Sequence, residues 1–376
     1  MLQCRILTAV AAGLFLAAAA SARAADTVSA NDTARFLAGM PPAADSPLAR
    51  LTEDPAWQEH ARGFDAAFEH VEQSQLTRIR AWAGSNLTAS RPTMFYMFGG
   101  PDFLYANAFY PDAKTYVLSG LEPAGALPDL AALRGSLAPD LARLRVSLRW
   151  ILQYSYFITS QMGSDLHRGR LTGTLPVLYV FLARSGKTIR EVAPVMLDDN
   201  GAVQPDLDTA RRAGARGVKI VFAGSDGEER TLYYFSTNLA NDGVSKSKFL
   251  AFCEALGPGE SLVKSASYLL HNNGFSIVRE FLLANSAVMV QDDTGIPLAY
   301  YDPDKWGLQP FGQYVGPIPL FRYMYQAKYA ALFKNSQPID FGIGYRWQPK
   351  QSNVLLAIKK PGVSFSERSL GMAPKQ

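Results

Sequence analysis

The sequence predicts an α/β fold: a mixed, partly parallel sheet with helices on both faces in three layers, extended by antiparallel hairpins and preceded by a helical segment. Three observations predict it. Between Thr93 and Gly186, short apolar runs alternate with helical patterns. After Val195, Asn-Gly, Asp-Gly and Thr-Gly pairs separate apolar stretches. Residues 31–86 space their apolar side chains at helical intervals.

The elements follow in order. Residues 1–24 read as a removable signal peptide, with Arg5, an apolar run from Ile6 to Ala20, and small residues at Ala22 and Ala24. That run is shorter than the roughly 20 residues a spanning helix needs, so the mature chain is expected to be water-soluble, without membrane insertion, and periplasmic or secreted. Residues 25–90 form the helical segment. Here "NDTARFLAGM" opens on a capping residue, and Asp54-Pro55 begins a helix carrying Trp57, Phe64, Phe68, Val71 and Leu76. Residues 91–376 form a single mixed domain.

In that domain "TMFYMFGG" reads as a strand, "PDFLYANAFY" as a helix and "KTYVLSGLE" as a strand. A long helix follows from Pro139 to about Ser160, and the apolar run "LPVLYVFLARSG" reads as a strand buried on both faces. The stretches "VMLDDNGAV", "KIVFAGSDGEERTLYYFST" and "AVMVQDDTGIPLAYY" read as hairpins. Helices are expected in "SKSKFLAFCEAL", "SLVKSASYLLHN", "FSIVREFLLA" and "LFRYMYQAKYAALFKN", and strands in "FGIGYRW" and "NVLLAIKK".

Charge and cysteine content exclude several functions. Without Arg5 and Arg23, 35 Lys and Arg face 33 Asp and Glu, a balance that argues against nucleic acid as a partner. Beyond the signal only Cys253 remains, so no internal disulfide can form, and its place among Phe249 and Leu256 reads as a buried apolar residue. His60, His70, His167 and His271 are far apart and form no metal motif, so no metal site is expected.

Ligands of open parallel sheets bind beyond the carboxyl ends of the strands. That rule selects three loops: Gly99-Gly100-Pro101-Asp102, Ser119-Gly120-Leu121-Glu122-Pro123 and Arg184-Ser185-Gly186-Lys187. Gly99 and Gly100 before a helix suggest phosphate binding, but a third glycine is missing, Pro101 removes an amide and Asp102 repels anions. Asp102 therefore reads as a helix cap, and no cofactor is expected.

Two readings of different class remain. The first is an exported binding or accessory protein of the cell envelope. Its groove would be formed by Gly99, Gly100, Ser119, Arg184 and Lys187 with Trp306 and Tyr314 of the proline-rich stretch 300–321, and its ligand would be an envelope polysaccharide or another small molecule. The second is an extracytoplasmic hydrolase with Glu122 and Asp102 as acid and base, and His271 as a further candidate base. Ser261-Leu-Val-Lys264 matches the S-x-x-K pattern of penicillin-binding enzymes, but Ser245-Lys-Ser-Lys248 matches equally well, and the accompanying elements stand in reversed order. Asp292 and Asp293 read as hairpin-turn residues.

Overall fold

The computed structural model describes residues 28–87, 91–130, 135–157, 169–206 and 214–365. The signal peptide assigned to residues 1–24, with Cys4, lies outside them, as does His167. Local chemistry sets the first helices. Helix α1 (Ala30–Leu37) begins where the Ser29 hydroxyl accepts from the Asp32 amide at 3.0 Å, two residues before the cap that Asn31 suggested. Helix α2 (Pro55–Val71) is capped by Asp54, which accepts from Ala56 at 2.8 Å, with Pro55 in the first turn. A wide turn over Glu72–Leu76 leads into α3 (Thr77–Asn86).

Strand β1 (Thr93–Tyr96), helix α4 (Phe103–Phe109) and strand β2 (Thr115–Gly120) make a parallel unit. Helices α5 (Ala138–Tyr154) and α6 (Leu175–Arg184) follow, then the antiparallel strands β3 (Thr188–Leu197), β4 (Val203–Pro205), β5 (Arg216–Ala223) and β6 (Glu229–Ser236). Helices α7 (Asn241–Ser247) and α8 (Phe249–Ala255) meet at Lys248, whose left-handed backbone breaks what the sequence reads as one helix. The chain ends with β7 (Gly259–Val263), α9 (Ser276–Asn285), β8 (Ser286–Gln291), β9 (Trp306–Gly312), α10 (Ala327–Leu332) and β10 (Asn353–Lys359).

The sheet has ten strands in the order β4-β3-β5-β6-β2-β1-β7-β8-β10-β9. The five central strands, from β6 to β8, run parallel, and antiparallel strands extend both sides. Alternation along each strand feeds two cores. In β1, Met94 and Tyr96 face the core covered by α1 to α6, whereas Phe95 faces the core covered by α7 to α10. The helices of residues 28–87 thus form part of one outer layer, packed with α5 and α6. Cys253 is buried in the second core, where burial raises its thiol pKa well above the usual range. No helix among the described residues is long and apolar enough to cross a membrane.

Several expectations require correction. The run "LPVLYVFLARSG" is helix α6, not a strand. Every residue from Leu175 to Ala183 is buried, and a helix surrounded by protein shows the same unbroken apolar run as a strand covered on both faces. The converse holds for "SLVKSASYLLHN": its first residues complete the central strand β7, and a loop follows. The stretch "AVMVQDDTGIPLAYY" is no hairpin, because β8 pairs with β7 and β10, and Asp292 and Asp293 are buried. Within "FGIGYRW", Gly344–Arg346 is a turn of 3-10 helix, not a strand. Trp306–Gly312, read as irregular, is the edge strand β9, a position that tolerates Pro310.

Candidate functional site

The site is assembled from strand ends. Gly99 lies so close to the Tyr96 ring that an added Cβ would fall 2.3 Å from it, and Gly100 adopts φ +60° while its amide donates to the Ser119 carbonyl at 3.0 Å. This turn delivers Asp102 to the start of α4. One carboxylate oxygen accepts from the Tyr105 amide at 3.0 Å; the other accepts from the Tyr96 hydroxyl at 2.9 Å and lies 3.1 Å from Lys264 Nζ. Asp102 and Lys264 are each only 1% exposed.

Lys264 stands directly after β7. Its ammonium also donates to the Ser155 carbonyl and lies 4.0 Å from the centre of the Tyr105 ring. Burial lowers the lysine pKa, and the carboxylate of Asp102 opposes that shift. Ser155 is the left-handed residue that ends α5, at φ +69°. One ion pair therefore joins the β1–α4 turn, the end of β7 and the end of α5.

Beyond Lys264 the chain is held in an unusual shape. Ser265, Ser267 and Tyr268 all have positive φ, at +54°, +50° and +57°, each costing about 1 kcal/mol or more for a residue with a side chain. Two buried carboxylates hold this loop. Asp292 accepts from the Ser265 amide at 2.9 Å and the Thr294 amide at 3.0 Å, and Asp293 accepts from the Tyr268 hydroxyl and, at 3.0 Å, from Asn353. Burial first, and the neighbouring Asp293 second, push the Asp292 pKa up to about 7. Tyr345 closes the loop from outside, its hydroxyl 2.7 Å from the Ser267 hydroxyl and 3.2 Å from the Ser265 carbonyl.

These segments enclose a cavity of about 200 Å³ at the carboxyl ends of β1, β2, β6 and β7. Its polar lining includes Asp102, Glu122, Thr237, Asn238, Lys264 and Ser265, and its apolar walls include Phe98, Leu121, Ile151, Phe157 and Leu239. The Thr237 and Ser265 hydroxyls are buried and have no hydrogen-bond partner among the described residues.

Of the residues selected from sequence, Gly99, Gly100, Asp102, Ser119 and Glu122 line this cavity. Ser119 donates to the Met97 carbonyl at 2.8 Å and so shapes the wall rather than facing a ligand alone. Glu122 is buried; its carbonyl accepts from Tyr234 at 2.8 Å. His271 does not line the cavity. It packs beside Tyr268, with ring centres 5.2 Å apart, and burial lowers its pKa to about 4.

Arg184 and Lys187 lie on the opposite rim, because the element before them is a helix. Thr188 pairs with Ala223, Ala223 with Glu229, and Thr231 with Thr115, at the amino ends of the parallel strands. There Arg184 donates to the Ala38 carbonyl and Asp65, and burial lowers the pKa of Lys187. Trp306 is buried against Tyr301, and Tyr314 packs on Tyr325 and Tyr329 with its hydroxyl accepting from the Gln326 amide. Both aromatic residues pin their stretch to the core.

Sequence reasoning missed Thr237, Ser265 and Tyr345, and set Lys264 aside as part of a chance S-x-x-K match. A signal for Lys264 existed: a single charge closes the apolar run "SLVK", and a charge ending a buried strand must be paired. Among the described residues no group of three His, Cys, Asp or Glu side chains could hold a metal ion. Comparisons with models of known families, with curated proteins and with solved structures find no match.

Two outcomes follow from the buried charges. Lys264→Met leaves Asp102 unpaired and should destabilise the fold by about 3–5 kcal/mol in urea titrations, whereas Asp102→Asn with Lys264→Met should recover most of that loss. Equal losses in both variants would contradict a paired clasp. Asp292 holds in the folded state a proton that the unfolded chain releases near pH 3.8. The stability it contributes is present at low pH and is lost as pH rises toward about 7. Across that window the melting temperature of the wild type should fall relative to Asp292→Asn; parallel curves would refute the assignment.

Proposed function

We propose that this chain is an exported binding or accessory protein of the cell envelope that takes a small ligand in the cavity above β1, β2, β6 and β7. The observation that carries the reading is the cavity at the strand carboxyl ends, whose lining brings together Asn238, Glu122 and two residues, Thr237 and Ser265, whose buried hydroxyls have no hydrogen-bond partner among the described residues. Buried polar atoms are usually satisfied, and a bound ligand is one way to satisfy two that belong to residues of the same cavity wall. Phe98, Leu121 and Phe157 provide apolar walls, and Asn238 and Glu122 add polar groups. A ligand of sugar-ring size with several hydroxyls, such as one unit of an envelope polysaccharide, matches both the lining and the volume.

A second reading, an extracytoplasmic hydrolase, draws support from Asp102 and Glu122 lining the same cavity. Asp102 already serves Tyr96, the Tyr105 amide and Lys264, three of a carboxylate's roughly four acceptor sites, so Glu122 would carry the proton transfer.

A thermal-shift screen of monosaccharides, short carboxylic acids and amino acids tests the first reading. One class should raise the melting temperature of the wild type, and Thr237→Val with Ser265→Ala should weaken its binding about tenfold or more, as expected for two lost hydrogen bonds. If no class stabilises the protein, or the double variant binds equally well, the cavity is not the ligand site. In the same screen, Glu122→Gln that keeps binding but loses turnover of a glycoside would select the second reading.

A further inference from the structure

Beside the cavity mouth, the chain from Val315 to Lys328 forms a ledge. Its backbone is fixed: Arg346 donates to the Gly316 carbonyl at 3.0 Å and the Pro317 carbonyl at 2.6 Å. The Gln326 side chain donates to the Asp293 carbonyl at 2.8 Å, and its amide to Tyr314 at 2.9 Å. Phe321 turns inward onto Tyr268 and onto Tyr345, a cavity-lining residue, with ring centres 5.3 and 5.4 Å apart.

The remaining large side chains turn outward. Leu320, Tyr323 and Tyr325 are 71%, 76% and 60% exposed, and Val315 is also exposed. Leu320, Tyr323 and Tyr325 thus form an exposed apolar cluster on one short stretch of chain, the kind of surface that marks interaction with a partner.

Charge identifies that partner. From Gln313 to Ser352 there are five cations, Arg322, Lys328, Lys334, Arg346 and Lys350, and one acid, Asp340, which is itself paired with Arg78 at 4.0 Å. Arg322 and Lys328 are exposed among the outward tyrosines and Leu320. Leucine and tyrosine flanked by unneutralised cations match the boundary of an anionic bilayer, where tyrosine rings lie at headgroup depth and cations meet lipid phosphates.

We propose that the ledge docks on an anionic lipid surface, without spanning it, and so turns the cavity mouth toward the bilayer. This inference goes beyond ligand binding and stands on separate residues.

Co-sedimentation of the purified chain with vesicles tests it. Wild type and variants are compared in the same processed form, so that any contribution of residues 6–20 is equal. Wild type should bind vesicles of phosphatidylglycerol with phosphatidylcholine, bind phosphatidylcholine alone much more weakly, and release in high salt. Leu320→Ser with Tyr323→Ser and Tyr325→Ser should lower binding about tenfold or more, as burial of three side chains requires. Arg322→Glu with Lys328→Glu should abolish the preference for the anionic lipid.

Circular dichroism confirms that each variant is folded, and size-exclusion chromatography distinguishes a second copy as the occupant. Equal binding to neutral vesicles, no binding at all, or binding unchanged in both folded variants would overturn the proposal. So would a dimer of the wild type that the triple substitution converts to monomer.

Discussion

A lysine ammonium and an aspartate carboxylate, both withdrawn from water, organise the carboxyl edge of this sheet. Removing two charges from solvent costs several kcal/mol for each ion, and only close geometry with additional hydrogen bonds offsets that cost. Asp102 and Lys264 meet the requirement through Tyr96, the Tyr105 amide, the Ser155 carbonyl and the Tyr105 ring. The segments that the pair joins form one side of the cavity, and the ends of β2 and β6 form the rest of its wall. Well-packed apolar residues could hold two adjacent strands together as effectively, so stability alone is a weak reason for the pair. Positioning three chain segments around an opening is a better one.

The loop after β7 depends on that anchor and on a local excess of negative charge. Lys264 interacts electrostatically with both Asp102 and Asp292, and Asp293 stands beside Asp292. One ammonium cannot neutralise three carboxylates. A proton held on Asp292 up to about pH 7 relieves the excess. The same carboxylates fix Ser265 and Tyr268 in left-handed backbone, which sets the Ser265 side chain against the cavity. Conformational strain and buried charge therefore occur together, at the one edge where helix starts and strand ends converge.

Much of this layout is legible in the sequence, wherever a local rule governs. Asp54-Pro55 begins a helix because a side-chain acceptor and a proline suit a first turn, and Asp102 caps α4, with Pro101 just ahead of the helix. Asn200-Gly201 and Asp226-Gly227 turn the chain between paired strands. The rule that ligands gather at strand carboxyl ends places Gly99, Gly100, Asp102, Ser119 and Glu122 on one cavity. It fails for Arg184 and Lys187 because it was applied to α6, where complete burial removes the periodicity that separates helix from strand. A lone charge closing "SLVK" shows that Lys264 needs a partner but not which one, and Thr237 carries no mark at all: their neighbours, the carbonyl of Ser155 and the strand β2, are more than a hundred residues away. Pairings of that range leave no local pattern.

The proposed ligand site is the cavity beside the Asp102–Lys264 pair. A crystal structure of the protein soaked with the tightest molecule from the ligand screen measures this directly. The account predicts that molecule inside the cavity, with a polar atom about 3 Å from the Ser265 or Thr237 hydroxyl and the Asp102–Lys264 contact intact. Density for the molecule elsewhere, with the cavity holding only water, would contradict it.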